Sequence, residues 1–167
     1  KPAAVMVTSG PGATNTITGI MTAHMDSIPM VVITGQQVTA MLGKDAFQEA
    51  DIFGLTMPVV KHSYLVKDPY QVSRVVREAC HITTTGRPGP VLIDMPKDVG
   101  AALCEVGRMP QEMDIPGYQA VTPPPNPASV QAIADALGRS RRPLLLVGHG
   151  AVISDAGLVP DPETITD

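Results

Sequence analysis

The sequence predicts an α/β fold in which helices cover a parallel sheet. Short apolar runs, typical of strands buried inside a parallel sheet, lie at residues 3–8, 30–34 and 90–94. Between these runs, apolar residues recur at helical spacing at 13–25 and 69–84. The repeated strand–helix–strand order favours parallel pairing, because each crossover helix returns the chain to the same end of the sheet.

Local signals add further elements to this pattern. Asp45 and Gln48 have the spacing of a capping box, with Asp45 at the N-cap and Gln48 at N3, which predicts a short helix. Residues 58–66 return to strand character. Asp68 is the predicted N-cap of the second long helix, and Gly86 is its predicted stop.

The periodicity ends after the third apolar run, and the chain is predicted to divide there. A proline-rich stretch predicts an extended linker. Asn126 then caps a predicted helix that Gly138 ends, and residues 144–147 predict a strand. The predicted division is one domain at 1–98, a linker at 99–126 and the start of a second domain at 127–167.

Composition excludes several classes of protein. The 167 residues carry a net charge of −4, which gives no basic field for nucleic acid. No apolar run approaches the roughly 18 residues of a membrane span. The two cysteines and four histidines form no disulfide framework or metal motif, so no metal site is expected in this chain. Because the first strand begins by residue 3 without an initiator Met, we expect a piece of a longer protein.

A glycine-rich turn follows the first strand. Gly10 and Gly12 let the backbone approach a ligand closely, and Pro11 stiffens the turn. Where a strand passes into a helix, backbone N–H groups at the sheet edge bind anionic or polar cofactors. Asn15 stands where a dinucleotide fingerprint needs its third glycine. The turn therefore predicts either a non-dinucleotide cofactor site or a tight turn without a ligand.

Several motifs together resemble one family. They are S-G-P-G-A-T-N at 9–15, D-S-I-P at 26–29, D-A-F-Q-E at 45–49, V-K-H at 60–62, G-R-P-G-P-V at 86–91 and D-M-P-K-D at 94–98. In order and spacing they resemble the catalytic large subunit of acetohydroxyacid synthase, also called acetolactate synthase, over residues 1 to about 156. G-R-P-G-P-V is typical of thiamine-diphosphate enzymes in general, whereas D-A-F-Q-E with V-K-H and P-K-D is similar to the acetolactate branch.

The resemblance implies an activity and its cofactors. The family condenses two pyruvates, or pyruvate and 2-oxobutanoate, with loss of carbon dioxide in branched-chain amino-acid biosynthesis. It uses thiamine diphosphate, Mg²⁺ at the diphosphate, and an FAD without redox turnover. Residues 1–98 would be part of the pyrimidine-binding domain, and 127–167 would open the FAD-type central domain. The partners implied are a second catalytic subunit and a small regulatory subunit. The location implied is the cytoplasm, or a plastid or mitochondrion where the parent protein carries a transit peptide.

The resemblance also implies roles for individual residues. Phe47 and Lys97 would line the substrate channel. No catalytic residue or metal ligand is expected here, because the family's catalytic glutamate would precede Lys1 and its metal motif would follow Asp167. The cofactor-binding residues would be Gly10, Pro11, Gly12, Asn15, Ser27, Gln48 and Arg87.

Other interpretations remain open. Phe47 could simply pack at a helix start, Lys97 could be a surface lysine, and Arg87 could be a cation at a helix C-terminus. The family usually has Val-Pro where this chain has Gln37-Val38, which leaves the contacts of that loop undetermined. The alternatives in function are glyoxylate carboligase, sulfoacetaldehyde acetyltransferase, pyruvate oxidase, or a non-catalytic module that binds an anion or forms an interface.

Overall fold

The sheet of this protein, seen in a computed structural model that describes residues 1–120 and 123–154, is entirely parallel. Its four strands lie in the order β1-β2-β4-β3, and they are β1 Ala3–Val7, β2 Met30–Gln36, β3 His62–Leu65 and β4 Pro90–Pro96. The register pairs Met30 with Pro90 at one end and Gln36 with Pro96 at the other. The predicted α/β class with a parallel sheet is confirmed.

Seven α-helices are described, with single 3-10 turns at Thr39–Met41, Met57–Val59, Pro69–Gln71 and Val106–Arg108. The helices are α1 Pro11–Thr14, α2 Ile17–Met25, α3 Ile52–Thr56, α4 Val72–Thr84, α5 Lys97–Ala101, α6 Pro127–Arg139 and α7 His149–Ile153. None of the described helices is long and apolar enough to cross a membrane.

Helices cover both faces of the sheet, as predicted for a doubly covered parallel sheet. On one face, α4 packs against alternate residues of β2 and β4, including Val31, Val91 and Ile93. On the other face, the α1–α2 segment and α3 pack against the intervening residues Val32 and Leu92. Successive side chains of a strand point to opposite faces, so the two central strands supply both cores.

The prediction that all three apolar runs are buried is wrong for the first. Among residues 1–120 and 123–154, β1 pairs with β2 alone and is thus an edge strand, and Met6 is 77% exposed. Apolarity alone does not distinguish an edge strand from a central one. The predicted strand at 58–66 is also shorter than expected, since Pro58 lies in the 3-10 turn before β3.

Two helix predictions need correction. The first helix is interrupted, because α1 ends at Thr14 and α2 begins at Ile17. The capping-box helix does not form, because Asp45 and Gln48 adopt left-handed φ angles of 52° and 57°. The N-cap of the nearest helix, α3, is Asp51, whose side chain accepts a hydrogen bond from Gly54 N.

The second long helix starts where it was predicted to start. The Asp68 side chain accepts a hydrogen bond from Tyr70 N and caps a 3-10 turn that leads into α4. α4 ends at Thr84, and Gly86 follows with a φ of 61°. The N-cap and the stop signal are therefore both confirmed, with a first turn that is 3-10 instead of α.

The chain forms two compact units, Lys1–Val121 and Thr122–Asp167. The first includes part of the predicted linker, because Ile115 and Tyr118 pack against the core beneath α4. In the second, Asn126 caps α6 as predicted, accepting a hydrogen bond from Ala128 N at 2.9 Å. α6 continues through Gly138 to Arg139.

The predicted strand at 144–147 does not form. Its four residues are exposed and pair with no strand among residues 123–154. An apolar run becomes a strand only where a neighbouring strand accepts its backbone hydrogen bonds. Residues 155–167 of the predicted second domain lie outside the described residues. The division at 1–98, 99–126 and 127–167 stays a prediction.

Candidate functional site

Three loops that carry predicted site residues meet at the carboxyl edge of the sheet. The glycine turn, residues 9–12, follows β1, and the loop segment 45–50 belongs to the connection after β2. Lys97 opens α5 directly after β4. The strands are parallel and β2 and β4 are in register, so these loops share one edge, the usual position of ligands in open α/β sheets.

The glycine turn lies directly against segment 45–50. Gly10 is buried and has a φ of 57°. A Cβ atom placed on Gly10 would lie 2.8 Å from Gln48 Cβ and 2.9 Å from Gln48 O. Only glycine fits this position, for reasons of both backbone conformation and space. The apposition fixes Gln48 next to the turn that the sequence singled out.

The backbone of the glycine turn does not present the row of free N–H groups that the sequence suggested. Gly12 N donates to Ser9 O at 3.2 Å, and Asn15 N donates to Pro11 O at 3.1 Å. Helix α1 has only 4 residues, too few to create a substantial N-terminal dipole. The turn thus acts through close packing, and Asn15, at the C-cap of α1, presents an exposed side chain.

The side chains at this edge are open to solvent. Phe47 is 83% exposed, and Gln48 and Lys97 are also exposed. An exposed aromatic ring next to an amide, with an ammonium group at the same edge of the sheet, gives an apolar surface and donors of two kinds. Such a set is suited to a flat polar ring or to an anion, and its exposure indicates a surface that a ligand or another chain can cover.

A buried polar network that the sequence reasoning missed lies beneath the loops. Asp94, 2% exposed, accepts a hydrogen bond from Thr34 Oγ1 at 2.7 Å and one from Gln36 Nε2 at 3.0 Å. Gln36 Nε2 also donates to Ala50 O at 2.8 Å. Burial raises the pKa of Asp94 to about 6, although both hydrogen bonds lower it. The signal in the sequence was a polar residue at the end of each central apolar run.

An acidic cleft of about 270 Å³ opens beside this network. The residues that line it include Asp45, Glu49, Asp51 and Asp94. Ionised carboxylates repel phosphates and 2-oxo acids, so the cleft itself is unsuited to an anionic group. Among residues 1–120 and 123–154, no group of His, Cys, Asp and Glu side chains is arranged to hold a metal ion.

Ser27 and Arg87, two of the predicted cofactor residues, lie at the opposite edge. They precede β2 and β4, whose first residues pair with each other. Arg87 Nε donates to Ser27 Oγ at 2.8 Å, and its Nη2 donates to Met25 O at 3.0 Å and His24 O at 3.3 Å. The guanidinium thus caps the C-terminus of α2, which supports the interpretation of Arg87 as a helix-terminal cation.

The predicted cofactor residues therefore fall into two places. Five of them, Gly10, Pro11, Gly12, Asn15 and Gln48, share the carboxyl edge with Phe47 and Lys97. Ser27 and Arg87 lie at the amino edge, where Arg87 borders a pocket of about 310 Å³ whose lining also includes His24 and Lys61. The cationic side chains of Lys61 and Arg87 give this pocket the opposite electrostatic character to the acidic cleft.

Comparison with known proteins assigns the first part of the chain to a family. Residues 1–55, which contain both the glycine turn and segment 45–50, match the thiamine pyrophosphate enzyme, N-terminal TPP binding domain. Residues 1–55 therefore resemble that N-terminal domain of thiamine pyrophosphate enzymes. The match places the apposed Gly10 and Gln48 inside a TPP-binding domain.

Relatives extend the similarity along the chain. The acetolactate synthase large subunit of Pyropia yezoensis is 52% identical over 150 residues, 89% of this chain and 25% of the relative. That of Parasynechococcus marenigrum is 53% identical over 145 residues, 87% of this chain and 24% of the relative. The acetolactate synthase of Mycobacterium leprae is 47% identical over 156 residues, 93% of this chain and 25% of the relative.

The chain spans about a quarter of the length of those curated relatives. The resemblance to acetolactate synthase noted in the sequence is confirmed by these identities. The names of the relatives do not favour the alternative carboligases or a non-catalytic module.

Proposed function

We propose that this chain supplies the pyrimidine-binding side of a thiamine diphosphate site in an acetolactate synthase, which condenses two pyruvates, or pyruvate and 2-oxobutanoate, with loss of carbon dioxide. The observation that carries the proposal is the apposition of Gly10 and Gln48 within the segment that matches the TPP-binding domain. It presents Gln48 and Phe47 side by side at the carboxyl edge of the sheet.

The side chains at this edge fit the pyrimidine end of the cofactor. The Gln48 amide can both donate and accept a hydrogen bond, which suits an aminopyrimidine ring. The exposed Phe47 ring offers an apolar surface for a flat ring or for the carbon chain of a substrate. Thiamine diphosphate, when bound, supplies the carbon nucleophile and electron sink that a decarboxylating condensation needs. The acidic cleft next to the site indicates that the diphosphate binds elsewhere.

The remaining cofactors and partners of the proposal follow the resemblance. Mg²⁺ would be held with the diphosphate by residues other than those described here. FAD would approach Arg87 and Ser27; Arg87 Nη1 makes no hydrogen bond to residues 1–120 or 123–154, so this donor is open to a phosphate. The active site would be completed by a second catalytic subunit, and a small regulatory subunit could join them.

The proposal is tested by measuring acetolactate formation from pyruvate with thiamine diphosphate, Mg²⁺ and FAD present. A full-length protein that carries this segment should turn over. The 167-residue chain alone should not, because positioning residues cannot perform the proton transfers that activate the cofactor. Turnover by the chain alone would show that a catalytic group has been missed, and failure of the full-length protein would overturn the proposed function.

Lys97→Ala in the full-length protein is expected to raise the KM for pyruvate roughly tenfold, because an exposed ammonium at the carboxyl edge can attract a carboxylate. The dissociation constant of thiamine diphosphate should change less than about twofold. Steady-state kinetics and calorimetry give the two quantities. Arg139→Ala, which removes an exposed cation at the end of α6, is the control. A larger effect on cofactor binding than on KM would remove Lys97 from the substrate path.

A further inference from the structure

Segment 45–50 is held in an unfavourable backbone conformation. Asp45 and Gln48 have φ angles of 52° and 57°, a region that side-chain-bearing residues rarely adopt. Such conformations persist only where surrounding contacts determine them. The contacts that hold the backbone of segment 45–50 in this conformation therefore also set the orientation of Gln48.

Two consecutive glutamines at the end of β2 supply hydrogen bonds from their side chains to this segment. Gln36 Nε2 donates to Ala50 O at 2.8 Å, and Gln37 Nε2 donates to Phe47 O. The Gln36 side chain is also tied to the backbone of Gln37, because Gln37 N donates to Gln36 Oε1 at 2.8 Å. Gln36 is in turn anchored in the core by its bond to Asp94 Oδ2. A chain of hydrogen bonds thus runs from the central sheet to the carbonyl groups on either side of Gln48.

The segment also closes on itself. Glu49 accepts hydrogen bonds from Gly43 N and from Ala46 N, the latter at 2.8 Å, and Glu49 N donates to Ala46 O at 2.9 Å. These bonds keep the turn compact but do not connect it to the sheet. The connection to the sheet depends on the glutamine pair and on the packing of Gln48 against Gly10.

We propose that Gln36 and Gln37 are positioning residues that hold segment 45–50 against the glycine turn, so that Phe47 and Gln48 meet the pyrimidine end of thiamine diphosphate in a fixed orientation. The ligand in this inference rests on the proposed function, whereas the positioning rests on the contacts alone. Preorganising a loop in its binding conformation strengthens binding because less conformational entropy is lost when the ligand arrives.

Gln37→Met is the better test, because Gln37 is only half-buried and bonds to an exposed carbonyl. Methionine keeps the length of the side chain and removes the donor. Gln37→Glu keeps the shape and places an acceptor against Phe47 O, so it should have the larger effect. Gln131→Met is the matched control, since Gln131 donates a side-chain bond to Asp135 on α6.

Amide hydrogen exchange of the 167-residue chain measures the positioning without any ligand. The peptide covering 44–50, which includes the Glu49 amide, should exchange roughly threefold to tenfold faster in Gln37→Met, the range expected for one lost hydrogen bond. The peptide covering β4 should exchange at the wild-type rate. Unchanged exchange of 44–50 in both Gln37 variants would overturn the inference.

Calorimetry with thiamine diphosphate and Mg²⁺ on the full-length protein measures the consequence for binding. The dissociation constant should rise roughly threefold to tenfold in Gln37→Met and remain unchanged in Gln131→Met. Faster exchange with an unchanged dissociation constant would overturn the assignment of these residues to the ligand. A wild-type protein that binds no thiamine diphosphate would overturn the proposed function and the ligand assignment, while the exchange result would still decide the positioning.

Discussion

Gly10→Ala is expected to lower the free energy of unfolding of the first unit by about 2–5 kcal/mol. A residue with a Cβ at a left-handed φ costs about 1–2 kcal/mol, and Gly10 has a φ of 57°. The new Cβ would also lie 2.8 Å from Gln48 Cβ and 2.9 Å from Gln48 O, an overlap that adds about 1–3 kcal/mol. A backbone oxygen cannot rotate away, so segment 45–50 must move.

Gly43→Ala is the matched control for this variant. Gly43 also has a positive φ, 75°, but a Cβ there would have nothing within 4 Å. It should therefore lose only the backbone contribution, about 1 kcal/mol. Urea unfolding followed by tyrosine fluorescence reports on the first unit, because all 3 tyrosines lie in it and the chain has no tryptophan. Equal losses in the two variants would mean that Gly10 and Gln48 are not in contact in solution.

The elements that the sequence predicted well are those set by short-range chemistry. Asn126 and Asp68 cap helices because a side-chain oxygen reaches an N–H two residues away. The runs in β2 and β4 are apolar because both faces of those strands are covered. The failures depend on distant partners. Asp45 does not cap a helix, because the backbone is left-handed at Asp45 and Gln48, and the Glu49 carboxylate closes a turn there by accepting hydrogen bonds from Gly43 N and Ala46 N.

The candidate site was predictable in part for the same reason. Because parallel strands have their carboxyl ends at the same edge of a sheet, the sequence predicts that the glycine turn, segment 45–50 and Lys97 share that edge. The network around Asp94 was not predictable, since it requires the register that places Thr34 opposite Asp94. The position of Arg87 likewise depends on which helix terminus lies nearest in the folded chain, and that helix is α2.

Asp94→Asn is expected to remove a pH-dependent loss of stability from the first unit. The pKa of Asp94 is raised from 3.8 to about 6 in the folded chain, because burial disfavours the charged form. Between these two values the folded state binds the proton more tightly than the unfolded state does. Wild-type stability therefore falls as the pH rises from about 4 to about 6, by on the order of 3 kcal/mol from this group. An asparagine has no charge to bury.

The measurement is the difference in the free energy of unfolding between Asp94→Asn and wild type at roughly pH 4, 5, 6 and 7, a range that spans the two pKa values of Asp94. Glu49 and Asp98 have lowered pKa values, from backbone and Thr39 hydrogen bonds respectively, so their contributions rise with pH. They are present in both proteins and cancel in the difference. The Asn amide also meets the Gln36 Nε2 donor, which lowers stability by a constant amount. The variant should therefore gain on wild type as the pH rises from about 4 to about 6 and level off above that, and a difference independent of pH would show that Asp94 is not a buried ionisable group.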